Sequence, residues 1–262
     1  MTTPTATLVP LGTNGYFPTF GRQTMAFLLA APGAALLLDA GSGVARLTEP
    51  AVRPLLDGVE RLEIVLTHYH LDHVVGLSFL PGVLGTLPVR IHAPVPPLVT
   101  IGSEALDRLL SPPLFPVPLH RWPLPVEVAP YSGGRLEIGP FALSLRAQKH
   151  PGGSVGVRIG DALAYVTDTI FDPATIDFVR GVGTLLHEVW LDDAEAAAAD
   201  SSGHSAAANV AALARAAGVG RLCPVHHHPH RDPEAVERLV AGMRSAAGCP
   251  VELLREGEAV AV

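Results

Sequence analysis

The segment 62–73 places the strongest constraint on how this chain can fold. Its run Leu62-Glu63-Ile64-Val65-Leu66 reads as a short buried strand, and it ends directly in Thr67 and the cluster His68-Tyr69-His70-Leu71-Asp72-His73. Three imidazoles and one carboxylate within six residues form a donor set suited to zinc, with manganese or iron as alternatives. A strand end holds such side chains in fixed directions. His68 and His70 are two residues apart, and Asp72 and His73 follow on the next turn, so the four divide more easily between two neighbouring ions than around one. Four donors cannot complete two coordination shells. The fold must therefore carry further ligands from distant segments to the end of this strand.

Three other strand ends offer them. His150 follows the strand-like run 142–147 and precedes Pro151-Gly152-Gly153, and Asp168 follows the apolar run 162–166 in Tyr165-Val166-Thr167-Asp168-Thr169. His226 closes the run 221–225 and opens His226-His227-His228-Pro229-His230. Any of His226, His227 and His228 could ligate; His226 is preferred because it ends the strand. A carboxylate such as Asp168 can bridge two ions, and a bridged pair can hold a hydroxide between them at neutral pH.

The remaining pattern is strand-rich, then helical. Runs at 7–11, 26–30 and 35–39 are separated by Gly12-Thr13-Asn14-Gly15 and Pro32-Gly33, as in an antiparallel meander, and runs at 89–92, 126–129 and 155–159 continue the strands. Helices are predicted over 205–217, closed by Gly218, and over 233–247. Ten prolines between Pro94 and Pro130 exclude most regular structure there except around 103–110, and this segment reads as a packed surface loop more readily than as a pocket wall. With no repeat and no linker, one domain is expected over residues 1–262.

Composition removes several function classes. A hydrophobic content of 48% excludes disorder. The longest apolar stretch, Met25 to Leu38, has 14 residues broken by Pro32-Gly33, short of the roughly 20 that a membrane span needs. No lysine or arginine precedes Arg22 and no continuous apolar leader is visible, so the cytoplasm is the expected compartment, with Cys223 and Cys249 as free thiols. Lys149 is the sole lysine, the net charge is -7 and no basic run occurs, which leaves no footprint for a long nucleic acid. A small anionic substrate and a homodimer are both compatible with this balance.

Taken together, these residues resemble the metallo-β-lactamase fold superfamily, and within it the branch of tRNA 3′-processing endonucleases (RNase Z) and phosphodiesterases. The resemblance runs from Leu11-Gly12-Thr13-Asn14-Gly15 through Leu38-Asp39-Ala40-Gly41, the histidine cluster, His150, Thr167-Asp168-Thr169, His187-Glu188 and Gly203-His204-Ser205 to the segment 222–228. It implies an α/β fold, a four-layer αββα sandwich of two mixed β-sheets flanked by helices. It also implies that His68, His70 and His150 hold one zinc and Asp72, His73 and His226 the other, with Asp168 between them. His187-Glu188 matches the start of the branch's His-Glu-Ala-Thr motif, and Gly203-His204-Ser205 its second histidine loop. The implied catalytic set is Asp72, His204, His187 and Glu188, with His204 donating a proton to the leaving alkoxide and Glu188 holding His187. The sequence departs from the branch at Val189-Trp190, where Ala-Thr is usual, and in the interval of 18 residues from His150 to Asp168, where a long basic arm is usually inserted.

Charge arithmetic favours a phosphodiester. Two zinc ions less two carboxylates and one hydroxide leave about one positive charge, which suits a monoanionic diester and suits its dianionic transition state better. The expected activity is therefore hydrolysis of small or cyclic phosphodiesters. The alternatives are a tRNA 3′ endonuclease without its arm, a lactone, β-lactam or thioester hydrolase, and a metal-binding accessory protein without catalysis. Precursor tRNA should be a poor substrate; tight, salt-sensitive binding with efficient 3′ cleavage in a filter-binding and cleavage assay would contradict this.

Overall fold

Neighbouring side chains in the central strands enter different hydrophobic cores, and this alternation generates the layers. The computed structural model describes residues 6–262. In strands β1 (Thr7–Gly12), β2 (Ala26–Ala31) and β3 (Ala34–Leu38), Leu8, Phe27, Leu29, Leu36 and Leu38 face one core while Val9, Leu28 and Leu37 face another. Side chains alternate across a strand, so a run that is apolar at every position is buried on both faces. Strands β4 (Leu62–Val65), β5 (Val89–Pro94) and β6 (Val126–Tyr131) extend this sheet in parallel beyond β3.

The second sheet is built by β7 (Gly134–Ile138), β8 (Phe141–Gln148), β9 (Ser154–Ile159), β10 (Leu163–Val166), β11 (Thr184–Glu188) and β12 (Arg221–Val225). The two-residue β13 (Val260–Ala261) returns to the first sheet, giving orders β13-β1-β2-β3-β4-β5-β6 and β12-β11-β10-β9-β8-β7. Strands β10, β11 and β12 are parallel, and β8 runs in the same direction because both it and β10 are antiparallel to β9. The inner core joins Phe27, Leu36 and Leu38 to Phe141, Val157 and Tyr165 across the sandwich. Full burial of each such side chain contributes roughly 1.5–3 kcal/mol.

Helices cover the two outer faces. Short helices α1 (Leu71–Val74), α2 (Leu80–Leu84) and α3 (Glu104–Leu109) lie on the side of the first sheet, where Val74, Leu80, Leu84 and Leu106 join its outer core. On the other side lie α4 (Ala174–Val179), α6 (Ala207–Ala217) and α7 (Pro233–Arg244), with Val179, Val210, Leu213 and Val240 in the third core; α5 (Ala199–Ser202) is a single turn before α6. Gly218 ends α6 in the left-handed conformation expected of a C′ glycine. The result is the αββα sandwich of two mixed sheets. Among the described residues, no helix is long and apolar enough to cross a membrane. Cys223 and Cys249 are unpaired.

Three strands escape the sequence pattern, among them the two-residue β13. Strand β7 is an exposed edge opened by Gly134, and β11 is shortened as an apolar signal because it ends in His187 and Glu188. The proline-rich segment does pack, through Leu106, Leu110, Trp122 and Leu124, but its residues 99–105 have a second role described below.

The ends of β3, β4, β8, β10, β11 and β12 all emerge at one edge of the sandwich, where open α/β sheets characteristically place their ligands. Gly41, just beyond β3, is locked there by contact: a Cβ would lie 2.1 Å from the carbonyl oxygen of Asp72 and 2.5 Å from Thr24 Oγ1. Gly41→Ala should therefore destabilise the protein by about 1–3 kcal/mol, the range for overpacking, measured by denaturant unfolding. An unchanged midpoint would show that this edge is not close-packed.

Candidate metal centre

Asp168, just past β10, is the central group of the site. Its Oδ2 lies 3.6 Å from His68 Nε2 and 3.5 Å from His150 Nε2, while its Oδ1 lies 3.2 Å from His73 Nε2 and 3.3 Å from His226 Nε2. The two oxygens thus address two different groups of ligands. His70 joins the first group, its Nδ1 lying 3.1 Å from His150 Nε2, and Asp72 joins the second, its Oδ2 lying 3.2 Å from His226 Nε2. Donor atoms of His68, His70, His150 and Asp168 lie within 4.8 Å of one another, as do those of Asp72, His73 and His226. Of the three adjacent histidines, the one brought to these carboxylates is His226.

The hydrogen bonds behind these rings fix which nitrogen faces inward. Asp39, fully buried at the end of β3, accepts from Thr67 N (2.7 Å), Thr67 Oγ1 (2.9 Å), His73 Nδ1 (2.8 Å) and Tyr165 Oη (2.8 Å). Thr67 has spent its one hydroxyl proton on Asp39, so it accepts from His68 Nδ1 at 3.0 Å. His150 Nδ1 donates to the carbonyl of Gly203 at 2.9 Å. Each of these rings therefore turns an unprotonated Nε2 inward when neutral, as metal ligation requires. Nε2 of His68 and of His73 are buried without an aligned hydrogen-bond partner. Such orphans cost about 1–3 kcal/mol each, and a divalent cation satisfies them, so this donor set fits a metal.

Electrostatics agree with that fit. Burial, reinforced by His73, holds His68 well below the usual histidine range; burial and His150 lower His70, and burial lowers His150. Burial opposes ionisation of Asp168 and Asp72, yet His226, His73 and His68 pull Asp168 well down, and His73 and His226 lower Asp72. Burial would also discharge His73, but Asp168, Asp72 and Asp39 outweigh it and raise its pKa well above normal. Without a cation, a proton on His73 fills the same electrostatic need.

The second histidine loop is arranged differently from the expectation. Glu188, fully buried at the end of β11, accepts from Thr169 N (2.8 Å) and from His204 Nδ1 (3.0 Å), so it holds His204 rather than His187. His187 alternates onto the face shared with Leu185 and Val189, and its Nδ1 donates to the Glu188 carbonyl at 2.8 Å. Its ring lies across β11 from the Glu188 carboxylate, because adjacent strand residues point to opposite faces. Trp190, a departure from the branch's motif, stacks on His204 with ring centroids 4.8 Å apart and also packs against His226 and His228.

Two further features went unassigned in the sequence. Asp39 is among the residues that carry the resemblance, but nothing local marks it as the orienter of His73; only β3 and β4 being neighbours does so. Val99, Thr100 and Ile101 of the proline-rich segment line a cleft of about 180 Å³ against His68 and His70, with Thr100 N donating to Gly152 at 2.8 Å. This part of the segment therefore forms a wall of that cleft, where the sequence predicts a packed surface loop. The turn at Gly12–Gly15 sits beside the site: a Cβ on Gly15 would lie 2.3 Å from the His226 ring.

A sandwich of two mixed sheets with a histidine–aspartate cluster at one edge defines a class of metal-dependent hydrolases. Residues 35–227 match the family described as the beta-lactamase superfamily domain, and the chain belongs to that superfamily. It is similar to ribonuclease Z of Bradyrhizobium sp. (strain ORS 278), at 27% identity, and to ribonuclease BN of Escherichia coli O6:K15:H31, at 28%, each match covering 91% of this chain and 94% of the relative. In fold it is similar to the metallo-beta-lactamase fold protein YhfI from Bacillus subtilis, with a TM-score of 0.75, 20% identity, and 98% and 100% of the two chains covered. Human tRNase Z, short form, superimposes with a TM-score of 0.71 at 18% identity over 97% of this chain and 98% of that one.

Asp168→Ala should weaken binding of every ion the site takes, since one carboxylate faces both ligand groups, whereas Asp39→Asn should lower metal affinity by about ten- to a hundredfold through loss of His73 orientation. Metal titration by calorimetry separates the two. Wild-type stoichiometry in Asp168→Ala would show that this carboxylate does not bridge.

Proposed function

We propose that the protein hydrolyses small or cyclic phosphodiesters with two divalent metal ions, zinc first among the candidates and manganese or iron next. The observation that carries this reading is the split of Asp168: its two oxygens address His68 and His150 on one side and His73 and His226 on the other. Bound there, divalent ions supply Lewis-acid polarisation of a phosphoryl oxygen and an activated water. His68, His70 and His150 would hold one ion, Asp72, His73 and His226 the other, with Asp168 shared. About two metals per chain are expected by elemental analysis of protein purified without chelator. A stoichiometry of zero with no rebinding would defeat the proposal.

The chain's own acid is His204. It borders a cleft of about 380 Å³ together with Asp72, Asp168 and His226, and Glu188 fixes its Nδ1, which leaves Nε2 free to meet a leaving oxygen. Burial lowers its pKa, but Glu188, helped by Asp168 and Asp72, brings it up to about 9, which favours a proton on the ring. A phosphodiester expels an alkoxide whose departure needs such a donor; an activated phenolate leaves without one. His204→Ala should keep its metals and lose about a hundredfold or more on alkyl diesters, with a much smaller loss on p-nitrophenyl esters. Equal losses on both leaving groups would take His204 out of the chemistry.

Similarity to ribonucleases Z and BN supports an RNA as a second reading, and the likeness in fold to a human tRNase Z makes tRNA the candidate. The match to ribonuclease Z runs over 301 aligned positions against 262 residues here, so that relative carries insertions this chain lacks. With 18 basic against 25 acidic residues, the smaller substrate is preferred. The two unpaired cysteines accord with a reducing cytoplasmic setting.

A further inference from the structure

Tyr16 carries an exposed aromatic ring at the site that holding the metal ligands does not require. It is 71% exposed and its backbone is left-handed, with φ 64°, a conformation unusual for a bulky residue. Its N–H donates to Asp72 Oδ2 at 2.7 Å, which fastens the turn to a candidate ligand. Phe17 stands edge-on to the Tyr16 ring at 5.0 Å and rests in turn on His230 at 5.8 Å. Leu71, 60% exposed, and Trp190 line the same cleft of about 380 Å³. No lysine or arginine lines it, so the only groups there that can meet negative charge are those of the metal cluster and His204.

That distribution separates one anionic position from an aromatic wall. A substrate with a second phosphate would bring charge to Tyr16, Leu71 and Trp190 with no cation to receive it. A flat uncharged ring instead covers apolar surface that is otherwise left in water, and stacks on aromatic side chains. We infer that Tyr16, with Leu71 and Trp190, forms a subsite for an uncharged aromatic ring carried on one ester of the phosphate, and that Tyr16 is a specificity-determining residue. This rests on the phosphodiester reading for the anionic end only.

Calorimetric binding of phenyl phosphate and methyl phosphate to the metal-loaded protein tests the subsite without turnover. Phenyl phosphate should bind about tenfold or more tightly than methyl phosphate, in keeping with one ring stacked on aromatic side chains. Tyr16→Ala should erase most of that ratio and Tyr16→Phe should preserve it, while a merely structural Tyr16 would weaken both ligands alike. Should Tyr16→Ala not fold, Tyr16→Leu keeps the bulk without the flat ring and should lose the ratio too. Thymidine 3′-phosphate as a third ligand distinguishes a nucleobase held beyond a sugar from a ring bonded directly to the ester oxygen. Equal affinities for phenyl and methyl phosphate in the wild type, with thymidine 3′-phosphate no tighter, would overturn the subsite, as would an unchanged ratio in Tyr16→Ala. Turnover of methyl p-nitrophenyl phosphate reports separately on the phosphodiester reading: its absence alongside an intact binding ratio would overturn hydrolysis and leave the subsite standing.

Discussion

The buried carboxylate of Asp39 is the contact on which the site depends. It collects donors from the end of β4 through Thr67, from α1 through His73, and from the opposite sheet through Tyr165. One side chain thus ties both sheets together at the edge where the ligands gather. It accepts four hydrogen bonds, one at Oδ1 and three at Oδ2, so neither oxygen is buried without a donor. The same bonds set the tautomers of His68 and His73, so the packing of the sandwich and the direction of the metal-facing nitrogens are one problem with one solution.

Stability is given up around this point. Asp39, Asp168 and His226 all have left-handed backbones, with φ of 56°, 43° and 55°. Such conformations cost of order 1–3 kcal/mol each and survive only where the surroundings over-determine them. Here the surroundings are three cores of aliphatic side chains and glycines whose missing Cβ allows close approach, such as Gly41 against Asp72 and Gly15 against His226. The sandwich acts as a rigid frame that holds a strained rim.

The rim itself concentrates groups that repel or starve one another until a cation arrives. Lowered histidines, an unpartnered Nε2 on His68, and carboxylates held ionised by neighbouring imidazoles are what a metal site looks like from the protein's side. His204 borders the same cluster, close to Asp168 and His226. Its Nδ1 is held by Glu188, which also accepts from Thr169 N, and this pairing raises the pKa of His204 while burial lowers those of His68 and His150.

Much of this was legible in the chain. The cluster 68–73, the strand-end placement of His150, Asp168 and His226, and the two-faced apolar runs depend on short-range order, and periodicity records short-range order well. Tertiary structure alone decided the pairings. Strand alternation already puts His187 and Glu188 on opposite faces, but that the Glu188 carboxylate meets His204, 16 residues on, is decided by the loop after β11 returning to the strand's end. Asp39 reaches His73 because β3 and β4 are parallel neighbours, and residues 99–101 line a cleft because the Gly152 turn folds back on Thr100. A sequence fixes which side chains leave each strand and on which side; which of them meet is set by the order and direction of the strands, because hydrogen bonds and metal ligation act only across the few ångströms that packing closes.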